Sequence, residues 1–182
     1  MSLLLRLNAL FLQILPNSIF YEIATLLGYI WFYIIPVRRG IAIENVMKCL
    51  DVSRREASNI VLRSMINIVT AFMEFISQRD IHIDYRNYEE LGRVKSEGAI
   101  IATAHTGNWD VLERAASMEK IRLGVISRKS KFSSLNNFLD DIRKKRGETV
   151  FKDDIPVSTL SKFLKGGGFL GIVIDQNMPP KR

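Results

Sequence analysis

Two short segments combine residue types that can move a proton. The first is His105-Thr106-Gly107-Asn108-Trp109-Asp110. Imidazole titrates near neutrality, and a carboxylate on one ring nitrogen leaves the other to take a proton. Asp110 follows His105 by five positions, so a tight loop can return its carboxylate to the ring. This is the base-plus-orienter part of a catalytic triad without its serine, and the nucleophile would be a hydroxyl of the substrate. A helix starting near Asn108 would add backbone N–H groups able to steady a developing oxyanion. The second segment is Ile174-Asp175-Gln176-Asn177, where polar groups follow an apolar run. The first spacing is not specific by itself. A chain with 2 histidines and 19 acidic residues meets it often by chance, and a core histidine satisfied by its neighbours is the plain alternative. His82, in Asp80-Ile81-His82-Ile83-Asp84, reads as structural or exposed.

The elements around these segments favour the sharper reading. Ala99 to Ala104 is a continuous apolar run, as in a buried parallel strand, and His105 leaves its carboxyl end. Asp110 to Met118 reads as a helix and Leu123 to Ser127 as a strand. Ser133 to Arg146 is a second helix, capped by Ser133 or Ser134 and ended by Gly147. A weak strand at Thr149 to Phe151, a helix at Pro156 to Lys165, a turn at Gly166-Gly167-Gly168 and a strand at Phe169 to Ile174 follow. Strands alternating with helices predict an α/β fold with a mostly parallel sheet and right-handed crossovers. Ligands of such sheets bind beyond the carboxyl ends of the strands, where both polar segments lie.

The N-terminal part is different in kind. Residues 1–36 carry only two charges, Arg6 and Glu22. Ile19 to Ile35 is apolar apart from Glu22, and as a helix it is about 25 Å long against a hydrocarbon core of about 30 Å. Tyr21, Tyr29, Trp31 and Tyr33 suit a membrane interface. Residues 1–36 are therefore expected to anchor the chain, as a short span or an in-plane helix, with 37–182 as the body. A buried core helix is the alternative, and a cleavable signal peptide fits poorly because no small-residue cleavage site follows the run. Arg38, Arg39, Lys48, Arg54 and Arg55 come next, and place the body on the cytoplasmic side of a span or against anionic headgroups. Ser53 and Glu56 form a capping box. It opens a long amphipathic helix whose stripe of Ile60, Val61, Met65, Ile68, Val69, Phe72 and Phe75 reads as core. Cys49 is the sole cysteine, which excludes an internal disulfide and a cysteine-built zinc site. The net charge of +7 favours anionic partners, but no nucleic-acid recognition motif accompanies it.

Taken in order, these segments resemble the lipid A biosynthesis acyltransferase family of the lauroyl/myristoyl type, within the lysophospholipid acyltransferase superfamily. Leu15-Pro16 through Pro36 is similar to the family's N-terminal membrane helix, and Arg38 to Val46 to its basic stretch. His105 to Asp110 resembles its His-x-x-Asn-Trp-Glu block, with Asp in the last place. Ile126-Ser127-Arg128 is similar to its strand ending in arginine, and Arg146-Gly147 loosely to its Arg-x-x-Gly region. Leu164 to Gly167 followed by Ile172 to Gln176 resembles its Gly-rich turn, strand and Asp-Gln block.

The resemblance implies a glycerolipid-acyltransferase-like α/β fold on membrane-associated helices. It implies transfer of a fatty acyl chain from a thioester of acyl carrier protein or coenzyme A to a hydroxyl of a lipid A precursor. His105 would be the base and Asp110 its orienter. Arg128 would hold a phosphate, Asp175 and Gln176 would position substrate, and Asn108 would brace the loop. No cofactor and no metal would be needed, and the partners are membrane lipid, acyl donor and acceptor at the cytoplasmic face of the inner membrane. Arg143 to Arg146 would meet the acidic carrier or the membrane, with a solvated helix end as the equal alternative. The family pattern continues past the Asp-Gln block, whereas this sequence runs six residues beyond Gln176. The resemblance thus implies an incomplete sheet, from a truncated gene or a fragment. Another lysophospholipid or glycolipid acceptor, or an inactive membrane-anchored remnant, is the alternative.

Overall fold

The computed structural model describes residues 2–80, 82–86, 89–90, 97–108, 110–127 and 133–175. The chain forms two compact units, one of Arg6–Arg79 and one of Asp80–Arg182 with Met1–Leu5.

The first unit is helical. It contains most of α1 (Ser2–Ile14), then α2 (Asn17–Tyr33), α3 (Arg39–Leu50) and α4 (Arg54–Ser77). Pro16 precedes α2 with an extended ψ of 146, and its carbonyl accepts from Phe20 N at 3.0 Å. Phe20, Ala24, Gly28 and Phe32 recur every fourth position of α2, and all four are buried. This face packs on α4. Gly28 sets the approach: a Cβ there would lie 2.8 Å from Ile66 Cα, so only glycine lets the two backbones come so close. Phe32, Ile43, Ala57, Val61 and Met65 form one apolar core, and Phe20, Ala24 and Met73 a second. The capping box at the start of α4 is complete, with Ser53 N donating to Glu56 Oε2 at 3.0 Å and Glu56 N to Ser53 Oγ at 3.3 Å.

Two arginines close helix ends in this unit. Arg39 Nη1 donates to Phe32 O at 2.8 Å, and its guanidinium lies 5.3 Å from the Phe32 ring centre. Arg79 Nη1 donates to Leu12 O and Leu15 O, each at 2.7 Å, its Nη2 reaches Asn17 Oδ1, and the group lies over Phe20 at 4.5 Å. A cation on the last carbonyls of a helix satisfies orphan acceptors and suits the dipole.

Residues 1–36 were expected to anchor the chain as a short span or an in-plane helix. The one helix among the described residues that is long and apolar enough to cross a membrane is α4, a test of spanning that does not bear on an in-plane anchor. One face of α2 is spent on protein packing, so α2 is not a lipid-surrounded rod. The α4 stripe was expected to be wholly core, yet Ile60, Ile68 and Phe72 are exposed, because the apolar arc of α4 is wider than α2 and α3 together cover.

The second unit is α/β. Its elements are β1 (Ala99–Thr103), α5 (Asp110–Met118), β2 (Leu123–Ser127), α6 (Ser133–Lys145), β3 (Thr149–Lys152), α7 (Val157–Lys165) and β4 (Phe169–Val173). Each matches the sequence expectation to within one residue at either end. The four strands pair in the order β1-β4-β2-β3, all parallel. Ala116, Leu123 and Phe169 form the core against Ala99, Ile101, Ile121 and Val125. Among the described residues β1 is an outer strand of this sheet rather than a strand buried on both faces, and Ile100 is 58% exposed. Arg122 closes α7 much as Arg79 closes α1: it donates to Phe163 O at 3.1 Å and lies 4.7 Å from the Phe163 ring centre.

Candidate active site

Parallel strands bring all their carboxyl ends to one edge of the sheet. On this edge His105 follows β1, Asp175 follows β4, Ser127 ends β2 and Lys152 ends β3. The polar groups stand where the ladder of the apolar strands stops.

His105 and Asp175 meet. His105 Nδ1 lies 2.9 Å from Asp175 Oδ1, and the backbone N–H of His105 donates to Asp175 Oδ2 at 3.1 Å. Both oxygens of one carboxylate thus hold one histidine, by its main chain and its ring. The two side chains are 37% and 35% exposed, open enough to meet a substrate. The hydrogen bond from the His105 side chain holds the Asp175 carboxyl below its ordinary pKa, and the slight loss of solvation opposes it.

The loop after His105 turns at Gly107, whose φ of +58 is a left-handed conformation that costs a glycine little. Asn108 is half-buried, and its carbonyl accepts from Val111 N at 3.2 Å, at the first turn of α5. Asp110 opens α5. Its side chain lies outside the described residues, as do Arg128 and Gln176. Of the six site residues expected from the sequence, His105, Asn108 and Asp175 are thus placed with their side chains.

A second polar cluster was not expected. Asp140 of α6 is buried, accepts from Ser127 Oγ at 3.3 Å, and is paired with Lys152 Nζ. Arg143 Nε donates to the buried Glu113 of α5 at 3.3 Å and lies 3.9 Å from Asp140, and Arg146 lies 3.8 Å from Glu113. The basic run Arg143 to Arg146, expected either to meet a carrier or membrane or to be a solvated helix end, is divided. Arg143 and Arg146 turn inward to Glu113, and Lys144 and Lys145 are exposed. Acids at single positions of amphipathic helices were the one available signal, and they look like any solvated charge until the helices dock.

His82 is exposed and pairs with Asp84 at 2.9 Å. Among the described residues no three His, Cys, Asp or Glu side chains converge as metal ligands. A shallow groove of about 390 Å³ on α2, lined by Ser18, Tyr21, Glu22, Thr25, Leu26 and Tyr29, contains none of the site residues. The strand edge therefore remains the candidate site.

The sequence pattern of the family described as bacterial lipid A biosynthesis acyltransferase matches residues 4–182. No curated protein matches this sequence.

Proposed function

We propose that this chain, which belongs to the bacterial lipid A biosynthesis acyltransferase family, transfers a fatty acyl group from the thioester of acyl carrier protein or coenzyme A to a hydroxyl of a lipid A precursor. The observation that carries this reading is a solvent-accessible imidazole on a carboxylate at the carboxyl edge of a parallel sheet. That arrangement serves proton abstraction from a hydroxyl.

His105 takes the hydroxyl proton as the acceptor oxygen attacks the thioester carbonyl carbon. The C–S bond then breaks, and the thiolate recovers the proton from the imidazolium. Atoms balance with an ester and a thiol as products, and the step forms no acyl-enzyme. The start of α5 beside Asn108 offers backbone N–H groups for the oxyanion. Arg128 takes an acceptor or carrier phosphate through its planar fork. Gln176 helps to position the substrate, Asn108 braces the loop, and Asp110 helps to orient His105 and to stabilise the imidazolium.

The helical unit serves as the membrane contact. Leu7, Leu10, Phe11, Ile14, Leu26 and Leu27 are exposed apolar side chains on α1 and α2, suited to an interface that holds the lipid acceptor. Residues 1–36 supply the anchor, on the cytoplasmic face of the inner membrane.

The test is acyl transfer by the purified protein in detergent or vesicles, with acyl carrier protein and coenzyme A thioesters and a diphosphorylated lipid acceptor. Transfer should occur with wild type and fall about 100-fold or more in His105→Ala. A variant as active as wild type overturns the assignment of this site.

A further inference from the structure

The His-x4-Asp spacing points to Asp110 as the partner of His105. The Asp110 side chain lies outside the described residues, and the geometry brings a second acid to the ring. We infer that Asp175 is a positioning carboxylate of His105: it keeps the ring proton on Nδ1 and so makes Nε2 the atom that takes the substrate proton. The inference rests on the acyl-transfer reading above, and adds a role that the spacing in the sequence does not give.

Three observations carry it. The first is the sheet register. β1 and β4 are hydrogen-bonded neighbours with Thr103 opposite Val173, and Ile174 N donates to Thr103 O at 3.0 Å, one step beyond the ladder. His105 and Asp175 each lie two residues past that last pair, so the pairing continues the register. A slip of one residue would bring Ile174 or Gln176 opposite instead. The second is the two-point grip, 3.1 Å on the main-chain N–H and 2.9 Å on Nδ1. A carboxylate that only neutralised charge would not need both. Fixing the main chain and the ring of one residue sets the side-chain torsions and aims the far edge of the imidazole. The third is that an ionised carboxylate only accepts hydrogen bonds. The nitrogen it faces must therefore carry the proton, and the lone pair of the neutral ring falls on Nε2.

The experiment uses the full chain with ¹⁵N-labelled imidazoles. There are 2 histidines, and His105→Ala assigns the two ring systems. In wild type at a pH where the ring is neutral, the ¹⁵N shifts of His105 should report the Nδ1–H tautomer. The Nε2–H tautomer in the unmodified protein overturns the inference, and this measurement needs no variant that folds. In Asp175→Asn the amide can donate as well as accept. The His105 signals should then move toward Nε2–H while those of His82 stay in place. Unmoved His105 signals overturn the inference, as does a tautomer change in Asp110→Asn that Asp175→Asn lacks. In the transfer assay, Asp175→Asn should lower kcat about 100-fold with KM within about 3-fold of wild type, and Asp175→Glu should recover part of the loss. A KM effect with unchanged kcat would return Asp175 to substrate binding and overturn the positioning role. If His105→Ala keeps full activity while the tautomer results hold, the proposed function has failed and the His105–Asp175 relation has not.

Discussion

The two units use charge in opposite ways. In the helical unit the arginines serve the backbone: Arg39 and Arg79 sit on helix-end carbonyls and on the faces of Phe32 and Phe20. Its buried residues are apolar apart from Ser77, and it presents most of the exposed large hydrophobic side chains. In the α/β unit the charges serve each other. Asp140, Glu113 and Glu148 are buried, Asp140 and Glu113 with basic partners around them, and Asp175 grips His105 at the strand edge. Under the proposed function the contrast has a purpose. A surface that meets lipid gains from keeping its polar groups tied to its own backbone, and a site that moves a proton needs side-chain groups with fixed mutual geometry.

Substitutions can break this contrast, and the largest effect should be chemical. His105→Ala should cost about 100-fold to 10,000-fold in kcat while the thermal midpoint stays close to wild type, because the ring is partly exposed and carries no core packing. A large drop in midpoint would make His105 structural and erase the contrast. Next is Asp140→Ala, which leaves Lys152 without its buried acid while Arg143 keeps Glu113. Lys152 is 36% exposed and can reach water, so the cost should be about 2 kcal/mol, below that of breaking a fully buried pair, read by urea unfolding. A loss under 1 kcal/mol would place those ions effectively in water.

Arg79→Ala should cost about 2 kcal/mol, since three carbonyl contacts at the end of α1 and the stack on Phe20 go together. Arg79→Lys should recover little, because an ammonium lacks the planar fork. Full recovery would mean that charge alone matters there.

The smallest expected effect is at the capping box. Ser53→Ala should cost about 1 kcal/mol. The Ser53 hydroxyl, followed by the Ser53 backbone N–H, holds the Glu56 carboxyl below its ordinary pKa. With the folded value lowered, this contribution is present above the unfolded carboxylate pKa of about 4.3 and is lost as pH falls through the lowered value. The stability gap between Ser53→Ala and wild type should therefore narrow in acid. A gap that widens in acid would contradict the box.

Much of this was legible in the chain, and the reason differs from element to element. The strand of Leu123 to Ser127 and the helix of Asp110 to Met118 are set by period and punctuation, so local pattern found their ends. The Ser53–Glu56 box is a contact across three residues, and its spacing alone gave it away. The α4 stripe was over-read, because periodicity marks which side chains are apolar and not how wide a face the neighbours cover. Asp140 and Glu113 were missed, since burial of a single acid depends on which helix docks over it.

The site divides along the same line. The sequence by itself determined that His105 and Asp175 each stand just past an apolar strand, because strand ends are written in local residue order. Only the tertiary structure decided that they meet. They are 70 residues apart, and their pairing depends on β4 lying beside β1 in one register, which follows from the packing of helices and strands across the whole α/β unit. Hydrophobic period fixes which face of a strand is buried, whereas strand order and register are settled by the combination that closes the core and aligns every ladder hydrogen bond at once. A spacing of five residues could suggest one carboxylate for His105, and only the sheet could bring it the other.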